Sequence, residues 1–489
     1  MGSFQQVRPG RIKMSEESGR KTIPIQPVGG DGEMVSLYAA SKKIYPRTVQ
    51  GLFARWRWFF VVLTQLVFYG LPWLEWGQRQ AVLFDLGTRR FYIFGLVLYP
   101  QDFIYLTGLL VISALALFLF TAVAGRLWCG YACPQTVYSE IFMWIERQVE
   151  GDRTARMRLD DADFSLEKLV KKWYKHIIWI GLSIWTGFTF VGYFTPIRDL
   201  ALSFFTTRMG SWEIFWVFFY GFATYGNAGF MREQVCKYMC PYARFQSAMF
   251  DHDTLIVTYD PRRGEPRGAR ARSADPKAMG LGDCVDCTLC VQVCPTGIDI
   301  RNGLQYECIG CGACIDVCDT VMDKLSYPRG LIKYTTQNAV EHRWSAKQTW
   351  QRVLRPRVMV YSGILLTLCV ALLVSLSLRH TLKVDVIRDR ASLARITEYG
   401  TIENIYRFQF MNATEQEQTY KVSVTGLEGI MVRDLPLVQV GPADSRWVVV
   451  HAEIPYGSAS AGSHKIMFTI ESDDGLASIQ EKSVFLVPR

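Results

Sequence analysis

Cys284-Val-Asp-Cys287-Thr-Leu-Cys290-Val-Gln-Val-Cys294-Pro295, followed by Cys308-Ile-Gly-Cys311-Gly-Ala-Cys314-Ile-Asp-Val-Cys318, is the stretch that governs how the rest of the chain is read. Three cysteines two residues apart and a fourth three residues on, written twice, is the ligand pattern of a bacterial-ferredoxin-like pair of 4Fe-4S clusters. The first three thiolates of each run wrap one cubane in a short loop, and the fourth crosses to its neighbour. Cluster one is therefore expected on Cys284, Cys287, Cys290 and Cys318, and cluster two on Cys294, Cys308, Cys311 and Cys314. Gly310, Gly312 and Ala313 leave room for backbone amides to approach the sulfurs and tune them. Zinc knuckles also use short cysteine spacings, but zinc ribbons do not normally repeat three cysteines plus a displaced fourth. Asp319 stands where a second proline would be expected, which loosens the turn after Cys318 without removing a ligand.

Outward from this insert the chain is apolar in blocks. Its 489 residues are 49% hydrophobic and 13% aromatic, and several domains are expected at this length. Charge-free stretches run from Trp58 to Leu74, Phe103 to Gly125, Ile177 to Ile197, Ile214 to Met231 and Val358 to Leu378. At about 1.5 Å per helical residue, each is of the order needed to cross a hydrocarbon core of about 30 Å. Five membrane spans are therefore expected, bounded by charges such as Arg57, Arg126, His176, Arg232, Arg357 and Arg379. Phe91 to Tyr99 is too short to span and reads as an interfacial or re-entrant piece.

Residues 126 to 175 hold nine Lys and Arg, whereas residues 75 to 102 hold only Arg79, Arg89 and Arg90, and residues 198 to 213 only Arg198 and Arg208. The positive-inside bias then puts residues 126–175 and the insert in the cytoplasm. No apolar stretch lies within residues 1 to 50, so a cleavable signal peptide is not expected there. The domains expected are a disordered cytoplasmic tail (1–50), a four-span region (51–231), the cytoplasmic insert (232–357), a fifth span (358–378) and an outer domain (379–489). The net charge of +9 and Arg262, Arg263, Arg267, Arg270 and Arg272 suit a loop beside anionic lipid better than a nucleic-acid site. No nucleic-acid partner is expected.

Twelve of the thirteen cysteines fall in motifs, and Cys369, inside the fifth span, reads as packing. The remaining four form two copies of Cys-x-x-x-Cys-Pro: Cys129-Gly-Tyr-Ala-Cys133-Pro134 and Cys236-Lys-Tyr-Met-Cys240-Pro241. Both copies follow an apolar stretch, so the two halves look duplicated and their four sulfurs are expected to converge. Proline at a first helical position places Cys133 and Cys240 at helix N-caps, where the positive helix end favours thiolate. Such a set suits copper(I), zinc or a further iron–sulfur cluster, with Met143 and Met239 as soft neighbours. His176 and His252 read as satisfied side chains outside the site.

From Ile402 the pattern changes to strands: Ile405 to Met411, Thr419 to Val424, Trp447 to Ile454, His464 to Ile470 and Ser478 to Val487. Their spacing predicts an all-β immunoglobulin-like sandwich. It has no cysteine and no catalytic cluster, leaving His451 and His464 as its donors to weigh, and it reads as a docking module.

At Arg126-Leu-Trp-Cys-Gly-Tyr-Ala-Cys-Pro-Gln135, Cys236 to Gln246, Tyr259-Asp-Pro-Arg-Arg-Gly-Glu-Pro-Arg-Gly268 and the eight-cysteine insert, the chain resembles the cytochrome c oxidase accessory family known as CcoG, FixG or RdxA. The resemblance implies a multi-pass protein of the bacterial inner membrane, with the insert cytoplasmic and the sandwich periplasmic. It implies a cupric reductase in which the clusters pass electrons to copper at Cys129, Cys133, Cys236 and Cys240, for the copper centre of a cbb-type oxidase. The partners expected are copper ion, oxidase assembly factors or copper chaperones, membrane lipid and an electron donor, with a homo-oligomer as the alternative to a single chain. Two other readings compete: an electron carrier linking quinol to another redox complex, and a scaffold that holds copper without reducing it.

Overall fold

Helices, a β meander and a sandwich follow one another along the chain, and the computed structural model describes residues 43–271, 278–389, 394–433, 437–475 and 477–488. Most of the expected tail, and Arg272 of the basic run, lie outside the described residues. Residues 44–50, which the sequence reading assigns to that tail, instead form a pinned strap. Tyr45 donates to Asp160 at 2.6 Å, the Arg47 amide to the Gln292 carbonyl at 2.8 Å, and Arg153 and Arg156 reach the carbonyls of Tyr45 and Pro46.

The helices that place the site are α1 (Leu52–Gly70), α2 (Phe103–Ala124), α3 (Leu127–Tyr131), α4 (Pro134–Glu150), α5 (Arg153–Asp161), α6 (Leu166–Val191), α7 (Ser211–Tyr225), α8 (Pro241–Met249), α9 (Ala313–Leu325) and α10 (Pro356–Ser377). All five apolar stretches are helical, but the expected count of five spans is not met. Among the described residues two helices are long and apolar enough to cross a membrane, Pro100–Ala124 and Pro356–Ser377. The reason is physical: α1 carries Arg55 and Arg57, α6 opens with a run of lysines, and α7 is only 15 residues long before the backbone changes character. A length of 15 residues reaches about 22 Å, short of a hydrocarbon core.

α2 and α10 run antiparallel, and Tyr105 donates to the Ser375 carbonyl at 3.2 Å. Their ends meet different domains. At one end Arg355 donates to the carbonyls of Ala122 and Asp253. At the other, the buried Asp102 is held by Lys383 and Arg379 beside the sandwich.

Strands β1 (Val82–Asp85), β2 (Arg90–Ile93) and β3 (Leu96–Leu98) form an antiparallel meander. The segment read as re-entrant, Phe91 to Tyr99, is thus a hairpin and its exit, and it docks on the sandwich. Tyr92, Val97 and Tyr99 pack with Met411, Ala413 and Ala443, and the Tyr99 hydroxyl donates to the Asn412 carbonyl at 2.9 Å. Within this run Tyr92, Val97 and Tyr99 are buried while Phe94 and Gly95 are exposed at the turn, a mixture that a window of hydropathy averages into an apolar block.

The insert is closed by β4 (Ile256–Tyr259) pairing antiparallel with β5 (Ile332–Thr335). The outer domain holds β6 (Leu382–Arg388), β7 (Thr401–Asn412), β8 (Gln418–Thr425), β9 (Met431–Arg433), β10 (Val438–Val440), β11 (Ser445–Pro455), β12 (Gly462–Ser472) and β13 (Ser478–Val487). The main strands of one sheet run β9–β11–β7–β6, and the other runs β10–β8–β12–β13. All five strands expected from the sequence are present. Alternate residues Tyr406, Phe408 and Phe410 of β7 meet Phe468 and Phe485 in a fully buried core, as an immunoglobulin-like sandwich requires.

Candidate redox centres

In the insert, Cys318 on α9 has Cys284, Cys287 and Cys290 as its electrostatic neighbours, and these four thiols line one cavity with Tyr259 and Arg301. Cys294 is likewise a neighbour of Cys308, Cys311 and Cys314. Each set of four named by the crossed spacing is thus made of electrostatic neighbours, and among the described residues no three of these side chains close around one point. Burial pushes the Cys290 thiol up to about 11 and the Cys308 and Cys318 thiols up to about 12. The amides of Gly310 and Ala313 act against burial at Cys308 and Cys311. Buried thiols with amide donors turned toward them are a donor set that fits iron–sulfur clusters, because iron replaces the protons and the amides steady the thiolates. Gly310 and Gly312 sit at φ +66 and +73, which lets the loop fold back on its own sulfurs. Where a second proline was expected, Asp319 accepts from the Gly330 amide at 3.0 Å and closes the turn instead.

The two sets face different ways. Cys287 is exposed, whereas Cys311 is buried against the helices. Gly130, in the first Cys-x-x-x-Cys-Pro, makes that contact close: a Cβ there would fall 2.8 Å from the Gly310 carbonyl oxygen and 2.9 Å from the Cys311 Cα. Tyr131 donates to the Cys311 carbonyl at 3.3 Å, and Tyr334 donates to that of Gly310. The buried Arg126 spans the seam, donating to the carbonyls of Tyr306 and Ala243 and, at 3.5 Å, to that of Cys308.

Of the four remaining motif cysteines, Cys129 lies on α3 and Cys133 is the N-cap of α4. Cys236 lies in a π-helical turn, Val235–Met239, and Cys240 is the N-cap of α8. Both caps have proline next, as the motif predicts. Cys236 has Cys133, Cys129 and Cys240 as electrostatic neighbours. At Cys133 the expected bias toward thiolate is outweighed. Burial pushes Cys129 up to about 11 and Cys236 up to about 12, and it raises Cys133 even though the amides of Gln135 and Thr136 pull the other way. Partial helix charge is a smaller effect than desolvation here. Among the described residues, no three His, Cys, Asp or Glu side chains close around one point as they would for a single ion.

Sequence reasoning missed the residues that hold this site. Gln246, fully buried, donates to the Cys129 sulfur at 3.4 Å. Gln135 donates to the carbonyls of Asn227 and Arg232 at 2.9 and 3.1 Å. Arg232 grips the buried Glu146 with both terminal nitrogens, at 3.0 and 2.9 Å, and Glu146 also takes Arg156 at 2.9 Å. A π turn on each side of Arg232, Gly226–Phe230 and Val235–Met239, distinguishes the second half from the first. Lone charges near apolar runs were the only available signal, and they read as membrane boundaries. Met143 lines a cavity with Cys236, while Met239 is exposed. His176 shares a hydrogen bond with Tyr225, and His451 and His464 bond Glu403 and the Ser460 carbonyl within the sandwich. Arg262, Arg263, Arg267 and Arg270 are all engaged with groups of the insert itself.

Comparison with known proteins follows the same division. A family model described as a 4Fe-4S dicluster domain matches residues 231–337, and one described as a 4Fe-4S binding domain matches residues 106–150. A model of the immunoglobulin-like fold at the C-terminus of FixG matches residues 372–488. Nitrogen fixation protein FixG of Rhizobium meliloti is 40% identical over 428 residues, 81% of this chain and 82% of that protein. Protein RdxB of Cereibacter sphaeroides is 40% identical over 403 residues, 81% of this chain and 84% of that protein. Among solved structures, a FixG-related protein from Vibrio parahaemolyticus is 24% identical, covering 22% of this chain and 97% of that one with a TM-score of 0.21.

Proposed function

This chain belongs to the FixG and RdxA family of membrane iron–sulfur proteins, and on that premise we propose that it is a cupric reductase, drawing one electron per copper(II) through its insert. It is an iron–sulfur electron-transfer protein; the copper step is the finer reading. The observation that carries it is the seam at Gly130, where the motif of Cys129 and Cys133 lies against the Gly310–Cys311 loop. Cys284, Cys287, Cys290 and Cys318 would hold one cluster, and Cys294, Cys308, Cys311 and Cys314 the other; bound clusters supply electrons singly, matching the step from copper(II) to copper(I). The exposed Cys287 marks the side on which a donor docks, and the buried Cys311 the side from which electrons leave. Cys129, Cys133, Cys236 and Cys240 offer soft sulfur, which favours copper(I) over copper(II). Gln246 holds the Cys129 sulfur, and each thiol gives up its proton as copper takes its place.

Under this proposal α2 and α10 cross the inner membrane, the insert faces the cytoplasm and the sandwich the periplasm, where it docks a copper chaperone or an assembly factor of a cbb-type oxidase. The two domains sit at opposite ends of these helices, which supports that arrangement. A second reading is favoured by one finding: the 4Fe-4S model over residues 106–150 includes Cys129 and Cys133. On it the bundle sulfurs hold another cluster and the chain is purely an electron carrier.

Anoxic, dithionite-reduced protein offered copper(II) separates the readings. Cluster oxidation should track copper(I) formation, and iron content should be unchanged by Cys133→Ser with Cys240→Ser while copper(I) formation is abolished. Iron loss in that variant, or cluster oxidation without copper(I), defeats the reductase.

A further inference from the structure

One cavity borders Cys236 of the bundle and residues that adjoin the second cysteine set. Its volume is about 40 Å³, and its walls include Cys236 and Met143 on one side and Pro295, Thr296 and Ile309 on the other. Pro295 and Thr296 directly follow Cys294, and Ile309 follows Cys308, so the cavity adjoins the loops that carry two cysteines of the second set. Ile44 and Pro46 of the strap close its outer side. Such a volume has room for about three waters, or for an ion that has shed most of its hydration.

The charges around it are unequal. Arg232 is spent on Glu146 at 2.9 Å, and Arg57 faces Glu140 at 3.6 Å. Glu233, also in the wall, has no ion-pair partner among the described residues. Beside the side chains of Gln135, Thr136, Ser139 and Thr296, the wall carries the Glu233 carboxylate, the Met143 thioether and the Cys236 thiol. Carboxylate oxygen draws in any cation, and the two sulfurs retain a soft one. We infer that this cavity is the entry vestibule for a thiophilic metal cation, with Glu233 as the capture group and Met143 as the relay to Cys236. The inference rests on the copper reading for its substrate and adds the route: the ion arrives from the side of the iron–sulfur insert, beneath the strap, and not from the sandwich end.

The test uses binding alone. Full-length, cluster-loaded, reduced protein under anoxia is mixed with copper(I) held as its bicinchoninate complex, and the loss of that colour gives the rate of capture. Glu233→Gln and Met143→Leu should each slow capture about tenfold, with the final copper per chain and the cluster absorption unchanged. Glu417→Gln, exposed on the sandwich, should leave the rate alone. Wild-type rates in both wall variants overturn the vestibule even if the protein reduces copper(II). Slowed capture in a protein that never reduces copper(II) retains the vestibule and removes the reductase.

Discussion

The eight-cysteine insert and the four-cysteine bundle site are made of the same side chain, yet they are assembled in opposite ways. In the insert every donor lies within 35 residues of the others, and loops only a few residues long fix which sulfurs meet. In the bundle the two pairs are separated by more than 100 residues, and their meeting depends on α4, on the π turns near Arg232 and on buried ion pairs. Local ligand spacing makes a site tolerant of its surroundings; long-range assembly makes it hostage to them. Changes outside the cysteines should therefore injure the bundle site and spare the insert.

The largest such effect is expected at Glu146. It joins the buried Arg156 of α5 and Lys175 of α6 to the partly buried Arg232. Removing one member of a buried ionic network leaves charges without a counter-charge, at about 3 to 5 kcal/mol. Glu146→Gln should lower the thermal midpoint of the helical region and expose Cys236 to maleimide, while iron content stays near that of the wild type. Equal loss of iron would mean that the insert depends on the bundle as much as the bundle on it.

A smaller effect is expected at Gly130. A Cβ there meets backbone, not a flexible side-chain end, so α3 must move away from the Gly310–Cys311 loop. Overpacking of this kind costs about 1 to 3 kcal/mol. Gly130→Ala should slow electron exit from the insert more than it destabilises the fold, read as a slower cluster reoxidation at unchanged cluster absorption. An unchanged rate would detach the seam from the electron path.

The same contrast explains how much was legible in the sequence. The paired cysteine sets, the N-cap positions of Cys133 and Cys240 and the five long strands all follow from spacing or period, which are local. The hairpin at Phe91, the strap at Tyr45 and the network at Glu146 depend on partners in other elements, 313 residues away for Tyr99 with Asn412, 115 for Tyr45 with Asp160 and 86 for Glu146 with Arg232. The span count failed for a related reason: α1 and α6 are apolar over much of their length, but each carries charges that its neighbours neutralise, as Glu140 does for Arg57. At Cys133 burial of the thiol also outweighed the helix-end effect, because desolvation depends on everything around the sulfur and the motif shows only what is beside it.

Asp316 should give the smallest effect and the finest test of the division. It lies on α9 between Cys314 and Cys318. Those two cysteines, four residues apart, share a helix face, and Asp316 projects from the opposite one. From there its carboxylate accepts the amides of Phe53 and Ala54 at 3.2 and 2.8 Å, capping α1 from another element. One helix thus presents sulfur to the two clusters and a cap to the bundle. Asp316→Ala should cost about 1 kcal/mol, the usual price of a lost cap, and should be read as faster hydrogen exchange in the first turn of α1 with the iron–sulfur spectrum unmoved. Asp316→Asn keeps an acceptor and should lose less. A shift in the cluster spectrum equal to that of a cysteine change would show that α9 cannot serve both faces independently, and the insert and the bundle would then have to be treated as one site.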